Sequence, residues 1–180
     1  MIVPVIKKIL DYRTNGTVID IGAGVGHHAI FLAEQGFTVT AVDNNEESIA
    51  ALQEVMKEKG ISVDVRKGDV QNVASLGGTW DIVVCTFVLH FLRNDEIKKA
   101  INDLKAVTTP NGLNVIAVHT TENVTERDRK PHLFEPNELK ELYADWKILH
   151  YWQGLGVPFV SKRTSEKLEK YRADLIAEKI

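Results

Sequence analysis

The sequence predicts an α/β fold in which a doubly wound, mostly parallel sheet of seven strands carries helices on both faces. Short β-branched runs alternate with amphipathic segments as far as Val118, the order expected of right-handed strand–helix–strand units. The run Trp80–Thr86 is almost continuously apolar, which is typical of a strand covered on both faces of a parallel sheet. A glycine-rich turn at residues 22–26 joins the first strand-like run to an amphipathic segment.

Length and composition favour one globular domain over residues 1–180, with 44% hydrophobic and 26% charged residues. The net charge of −3 gives no general attraction to nucleic acid or to an anionic membrane. Cys85 is the single cysteine, which excludes an internal disulfide and fits a reducing compartment. The N-terminus lacks the features of a signal peptide, and the near-apolar run at 82–92 is too short to span a bilayer. We expect a cytoplasmic protein, monomeric or homodimeric, with no nucleic-acid or membrane partner.

Runs of β-branched or alternating residues, separated by turn residues, predict six strands before the C-terminal region. Thr17–Ile21 and Thr38–Val42 are rich in β-branched residues, and Ile61–Arg66 alternates apolar with polar side chains. A turn at Pro110–Gly112 precedes the fifth strand. The predicted strands cover residues 17–21, 38–42, 61–66, 80–86, 113–118 and 146–152.

Apolar residues at helical spacing predict the helices that connect these strands. The helix after the glycine turn extends to about Gln35. Asn44 and Glu47 resemble a capping box at the start of the next helix, and Gly60 ends that helix. The predicted helices begin near Val5, Gly26, Asn44, Asn94 and Glu135.

The C-terminal third is less regular than the rest of the chain. Residues 119–133 are polar and predict a loop at the carboxyl ends of the strands, the edge where such sheets bind ligands. Residues 154–165 are loop-like. Residues 171–177 predict a seventh strand, and a terminal helix over 165–178 is the open alternative.

The glycine turn after Asp20 has the features of a ligand site. Gly22, Gly24 and Gly26 permit backbone conformations closed to other residues and allow a ligand close to the main chain. The following helix presents its N-terminus to an anionic group, and Asp20 can face a cation. A dinucleotide fingerprint needs its third glycine one residue later, where this chain has His27. The turn therefore suits a ligand with a carboxylate, an ammonium group and a nucleoside.

Two further acids end the next two strands. Asp43 follows the second strand, where a carboxylate commonly accepts hydrogen bonds from both ribose hydroxyls. Asp69 follows the third, where it could accept from an adenine amine while Val70 donates its backbone N–H to the ring. Three acids in this order make a nucleoside ligand the favoured interpretation.

The D-x-G-x-G-x-G spacing from Asp20 to Gly26 resembles motif I of class I S-adenosylmethionine-dependent methyltransferases, and the likeness continues to about Val118. It implies a Rossmann-like fold and S-adenosyl-L-methionine as cofactor, with the cofactor half at about 1–118 and acceptor-side segments at about 119–180. It also implies that Asp20 serves the methionine ammonium and that Cys85 and Thr86 lie beside the reacting methyl. The cofactor-binding set implied in this way comprises Asp20, Gly22, Ala23, Gly24, Gly26, Asp43, Asn44, Asp69, Val70, Cys85 and Thr86.

A narrower resemblance is to the tellurite-resistance methyltransferase family. It rests on the blocks Ala29–Asp43, Thr86–Leu92 and Phe134–Trp146, and on Arg163-Thr164 near the C-terminus. The family usually has Arg-Asn where this chain has His27-His28, and a His-Arg pair where this chain has Lys162-Arg163.

The resemblance implies methyl transfer to a small molecule, with an oxyanion, a metalloid such as tellurite, or a thiol as open acceptor classes. Since the donor sulfonium is already activated, few catalytic residues are expected beyond those that align the acceptor and exclude water. The candidates are His119, His132 and Arg163, with no metal. A catalytically weak S-adenosylmethionine-binding module is the alternative, and a nucleic-acid methyltransferase is a third.

Overall fold

The computed structural model describes residues 2–121, 132–156, 159–160, 167–168 and 170–180. Its main feature is a seven-stranded sheet, as the sequence predicts. The strands in this sheet are β1 (Thr17–Ile21), β2 (Thr38–Asp43), β3 (Asp64–Lys67), β4 (Trp80–Thr86), β5 (Thr108–His119), β6 (Lys147–Leu155) and β9 (Tyr171–Glu178). Their spatial order is β3-β2-β1-β4-β5-β9-β6. The first five strands in the chain pair in parallel, whereas β9 is antiparallel to β5 and to β6.

Helices cover both faces of this sheet, as expected for a doubly wound fold. The helices are α1 (Pro4–Lys7), α2 (His27–Glu34), α3 (Glu46–Lys59), α4 (Asn94–Ala106) and α5 (Glu138–Glu141), with 3-10 turns at Lys8–Asp11, Val70–Leu76 and Leu89–Phe91. One core layer packs α1, α2 and α3 on the sheet, and the other packs α4 and α5. β7 (Phe159–Val160) and β8 (Lys167–Leu168) form a separate antiparallel pair.

The seventh strand is confirmed, and the alternative of a terminal helix over 165–178 is wrong. β9 lies between β5 and β6, with Ile176 opposite Val115 on one side and His150 on the other. Pairing with two neighbours satisfies the backbone of β9 on both edges, which outweighs its charged residues. The predicted loop at 154–165 is wrong at its start, because Gly154 and Leu155 continue β6.

Several predicted boundaries are wrong for local reasons. β3 starts at Asp64 rather than Ile61, because the Ile61 N–H donates to the Met56 carbonyl and extends the close of α3. β5 starts at Thr108, before the predicted turn, and the residues at 109–112 bulge out opposite Asp81. The helix predicted from Glu135 is a single turn, α5.

A buried chain of polar groups fixes α4, β5 and the segment after α5. The Tyr143 hydroxyl donates to Asn114 Oδ1 at 2.7 Å, and Asn114 Nδ2 donates to Thr108 Oγ1 at 2.6 Å. Thr108 Oγ1 in turn donates to the Leu104 carbonyl at 2.7 Å. These three hydrogen bonds give the buried side chains of Tyr143, Asn114 and Thr108 polar partners, as burial of polar groups requires.

Within the described ranges, none of the helices combines the length and the apolar character needed to cross a bilayer. The cytoplasmic location, the oligomeric state, the absence of a nucleic-acid partner and the single-domain division stay predictions. Most of the predicted loop at 119–133 falls on residues 122–131, which lie outside the described residues.

Candidate functional site

The glycine turn after β1 is tightly fixed on one side and open on the other. Gly22 has φ +70°, and a Cβ there would come within 2.2 Å of Val88 Cγ2. Gly26 has φ +79°, and a Cβ there would come within 2.2 Å of Leu52 Cδ1. Gly24 has φ +55° but no atom within 4 Å of its Cβ position. The turn therefore requires glycine for its shape and leaves free space above Gly24.

Asp43 joins the end of β2 to the glycine turn. Its Oδ2 accepts the Gly24 N–H at 2.7 Å, and its Oδ1 accepts the Asn45 N–H at 2.9 Å. A carboxylate has about four acceptor positions, so each oxygen can still accept a hydroxyl. The side chain is held in one orientation, with capacity left for two neighbouring hydroxyl groups.

Asn44 and Asp69 bridge the ends of β2 and β3. Asn44 Nδ2 donates to Asp69 Oδ2 at 2.8 Å, and the Gln71 N–H donates to Asp69 Oδ1 at 3.0 Å. Because Asn44 is engaged here, the predicted capping box is wrong. Asn45 is the N-cap of α3 and accepts the Ser48 N–H.

These acids line a cleft of about 340 Å³. Its lining combines residues that offer polar side chains or backbone groups with apolar side chains. The first set is Asp43, Asn44, Asp69 and Val70, and the second is Phe87, Val88, Phe91 and Leu92. A slot whose lining is about equally polar and apolar suits a flat heterocycle attached to a polyhydroxy ring.

Asp20 and Cys85 lie behind this surface and line neither the cleft nor its neighbouring cavity. Both Asp20 carboxylate oxygens are buried and have no hydrogen-bond partner of normal geometry among the described residues. Burial raises the pKa of Asp20 to about 7; the Ala29 backbone N–H opposes this rise, and the Asp43 carboxylate adds to it. Burial likewise raises the pKa of the Cys85 thiol, so Cys85 is a neutral core residue behind the site rather than a residue that lines it.

A larger cavity of about 560 Å³ adjoins the cleft and shares Gly22, Phe87 and Phe91 with it. Its walls come from the glycine turn, the start of the chain, the ends of β4 and β5, and β9. The residues lining it are Ile2, Val3, Pro4, Gly22, Ala23, Gly24, Val25, His27, His28, Thr86, Phe87, His90, Phe91, His119, Gly156, Lys170 and Arg172.

His28 connects three walls of this cavity. Its Nε2 accepts the Val3 N–H at 3.4 Å, and its Nδ1 lies 3.2 Å from Thr86 Oγ1. Burial lowers the pKa of His28 to about 4, with His27 adding to the effect, so the ring is neutral near pH 7. Since Nε2 accepts, Nδ1 carries the proton and donates to Thr86, which leaves the Thr86 hydroxyl proton to point elsewhere.

Phe87 holds His119 in the cavity wall. The two rings stack with centroids 4.7 Å apart, and the His90 ring lies 4.8 Å from that of His119. Phe87 has φ +58°, an unusual backbone conformation for a bulky residue and one that clusters at functional sites. His119 and Thr86, both predicted site residues, therefore meet in one cavity.

Of the other two catalytic candidates, His132 is described by the structure and does not line this cavity. His132 lies in a separate pocket, with Nδ1 2.6 Å from Asn94 Oδ1 and Nε2 3.1 Å from Glu138 Oε1. Arg163 lies outside the described residues. Among the residues that the structure places, no group of three acidic, His or Cys side chains could hold a metal ion.

Sequence reasoning missed Arg172, which lines the cavity from β9, and its ion-pair partner Asp174. The signal was present in the sequence as two opposite charges, Arg172 and Asp174, at alternate positions of the predicted seventh strand. Their side chains share one face of the sheet, since alternate residues of a strand point the same way.

Comparison with known proteins gives consistent matches over nearly the whole chain. A family model described as "Tellurite resistance protein TehB" matches residues 5–171. The "Probable S-adenosyl-L-methionine-dependent methyltransferase TehB" of Haemophilus influenzae is 30% identical over 163 residues, which are 90% of this chain and 57% of that protein. The chain thus spans less than two thirds of the length of this relative.

Solved structures agree with these matches. The crystal structure of TehB from Haemophilus influenzae superposes with a TM-score of 0.85 at 26% identity, covering 97% of this chain and 61% of that one. The magnesium protoporphyrin IX methyltransferase of Synechocystis PCC 6803 with bound SAM gives a TM-score of 0.74 at 20% identity, covering 98% and 76% of the two chains. The second likeness concerns the fold alone.

Proposed function

The chain belongs to the TehB family, and from this membership we propose that it is an S-adenosylmethionine-dependent methyltransferase acting on a small molecule. The relative from Haemophilus influenzae carries that activity in its name. The proposed acceptor classes are an oxyanion, a metalloid such as tellurite, or a thiol.

The observation that best supports the proposal is the hydrogen bond from the glycine turn to the Asp43 carboxylate. The carboxylate is locked by the N–H groups of Gly24 and Asn45, at 2.7 and 2.9 Å, while it retains free acceptor positions beside the cleft. Asp43 would accept the ribose hydroxyls, and Asp69 with the Val70 N–H would receive the adenine. Pre-orientation by backbone groups lowers the entropy lost on binding.

The larger cavity would hold the methionine end and the acceptor. Backbone groups from Gly22 to Gly24 would receive the amino-acid end, at the start of α2. Asp20, buried behind the turn, would favour the ligand's ammonium electrostatically when it is ionised. When bound, S-adenosylmethionine supplies a methyl group already activated on a sulfonium.

The residues of this chain then have three tasks: to position the acceptor, to exclude water and to handle a proton where the acceptor carries one. Thr86 and Phe87 would border the position beside the methyl group, with the Thr86 hydroxyl oriented by His28. His119 is the residue best placed to accept a proton, since its ring stacks on Phe87 inside the cavity. His132 lines a separate pocket and is not proposed as catalytic. Arg163 stays a candidate from resemblance alone.

Formation of S-adenosylhomocysteine tests this proposal. The purified chain is incubated with S-adenosylmethionine and with tellurite, selenite, a thiol or a small amine in turn. Turnover with at least one acceptor, lost in Asp43→Ala, is expected. Intact cofactor binding with no turnover on any acceptor would favour the alternative, a binding module without catalysis.

A further inference from the structure

Arg172 lines the larger cavity and forms a buried ion pair with Asp174, which lies behind the lining. Arg172 Nη2 lies 3.0 Å from Asp174 Oδ2, and the two side chains are only 11% and 3% exposed. The Arg172 guanidinium carbon lies 5.2 Å from the Trp152 ring centre. The guanidinium is therefore held from one side by a carboxylate and from another by an aromatic face.

This pair is incompletely hydrogen-bonded. Arg172 Nε and Asp174 Oδ1 are both buried and have no partner among the described residues. Burial raises the pKa of Asp174 to about 6, against the opposing effect of the Arg172 charge. A buried pair with unmet hydrogen bonds destabilises a fold, so its place at a cavity wall points to a ligand.

The position of Arg172 links it to the proposed site of methyl transfer. Arg172 is the antiparallel partner of His119, so the two side chains stand next to each other on one face of the sheet. His119 stacks on Phe87, which directly follows Thr86. The order of neighbours from the proposed methyl position is thus Thr86, Phe87, His119 and Arg172.

The charges around the cavity favour an anion. Among the described residues that line it, Lys170 and Arg172 are cationic and none is acidic. Ile2, Val3 and Phe87 make much of the remaining wall apolar. A guanidinium in such surroundings matches the paired oxygens of a carboxylate or an oxyanion.

We propose that Arg172 anchors an anionic group of the methyl acceptor and that Asp174 is a positioning residue that aims the guanidinium. This inference rests on the proposed methyltransferase function. The shared ligand chemistry is a pair of oxygens carrying delocalised negative charge, from an organic acid or from an inorganic oxyanion. With a mercapto carboxylic acid as acceptor, the thiol gives its proton to His119 and the thiolate sulfur forms the new S–CH3 bond. The sulfonium C–S bond breaks, its electron pair stays on the sulfur, and S-adenosylhomocysteine leaves.

Calorimetric titration of three probes into the chain saturated with S-adenosylhomocysteine tests the proposal. Mercaptoacetate and mercaptoacetamide have nearly the same shape and differ in charge, and selenite represents an inorganic oxyanion. Each probe is titrated separately. We expect the wild-type chain to bind at least one anion, and Arg172→Met to weaken that binding about ten- to a hundredfold, as for loss of a charged hydrogen bond. Mercaptoacetamide binding should change by no more than about twofold, since it lacks the charge.

Further variants separate a direct from a structural role. Arg172→Lys keeps the charge without the planar fork and should retain part of the anion affinity. Asp174→Asn should raise the KM for mercaptoacetate while the KM for S-adenosylmethionine is unchanged. Arg13→Met is the matched control, because Arg13 is also ion-paired, with Glu178 at 2.9 Å, but lies away from the cavity.

The binding of the three probes distinguishes the two sources of the anion. If only mercaptoacetate shows binding that depends on Arg172, the ligand is an organic acid. If only selenite does, the ligand is an inorganic oxyanion. If both do, the site recognises the shared pair of charged oxygens. Equal binding of mercaptoacetate and mercaptoacetamide together with no Arg172-dependent selenite binding overturns the proposal. Failure of S-adenosylhomocysteine to bind would instead contradict the proposed methyltransferase function. Titration of the anions into the chain without S-adenosylhomocysteine would then still test whether Arg172 binds them.

Discussion

Replacing Asp20 by Asn tests the electrostatics at the centre of the fold. Asp20 is the penultimate residue of β1 and is 1% exposed, and its carboxyl oxygens lack hydrogen-bond partners of normal geometry among the described residues. Its pKa rises from 3.8 to about 7, chiefly through burial. The folded state therefore holds the Asp20 proton at pH values where the unfolded chain has lost it.

The sign and size of the effect follow from this shift. The stability contributed by protonated Asp20 is full below the unfolded pKa of 3.8 and is lost as the pH rises through about 7. A rise of roughly three pH units corresponds to about 4 kcal/mol at alkaline pH. Because Asn cannot ionise, the free energy of unfolding of Asp20→Asn should rise relative to that of the wild type by about 2–3 kcal/mol between about pH 5 and about pH 8.

Urea denaturation of both proteins across this pH range measures the difference. Taking the difference between variant and wild type removes most contributions of other titrating groups, such as His28 and Asp174. Burying the side-chain N–H groups of the new Asn has a free-energy cost that is independent of pH. This cost therefore does not affect how the stability difference changes with pH. A stability difference that stays constant within about 0.5 kcal/mol would refute a raised Asp20 pKa.

Three further substitutions test packing and the turn. Tyr143→Phe leaves Asn114 Oδ1 buried without its 2.7 Å donor and should lower the free energy of unfolding by about 1–3 kcal/mol in urea titrations. Gly24→Ala should cost about 1–2 kcal/mol for its positive φ, yet fill the open side of the turn and weaken S-adenosylmethionine binding in calorimetry. Gly26→Ala adds a contact at 2.2 Å to Leu52 and should cost about 1–3 kcal/mol more than Gly24→Ala. Unimpaired binding by Gly24→Ala, or equal stability of the two alanine variants, would contradict this description of the turn.

The features that the sequence predicts well depend on local chemistry. The glycine turn, the ends of β1, β2 and β4, and the place of Asp43 follow from residues adjacent in the chain. Capping was less predictable, because Asn44 and Asn45 can each cap a helix. Asn45 rather than Asn44 caps α3, because the Asn44 side chain donates a hydrogen bond to Asp69, a residue distant in sequence.

The acceptor side was hard to predict because it depends on non-local strand pairing. Arg172 reaches the cavity only because β9 inserts between β5 and β6, which sets it opposite His119. Hydrophobic patterns identify a strand but do not choose its neighbours. For the same reason, His132 could be placed near the strand ends but not in the separate pocket beside α4.

Every role assigned to the cleft and the cavity depends on S-adenosylmethionine, so the decisive measurement is its calorimetric titration into the unmodified chain. We expect saturable one-to-one binding with a Kd between about 1 μM and about 1 mM, the range usual for the KM values of enzymes. Asp43→Ala should weaken it at least about tenfold, since Asp43 both orients the glycine turn and would accept the ribose hydroxyls. Absence of binding by the folded wild-type chain, or full affinity in Asp43→Ala, would contradict these roles.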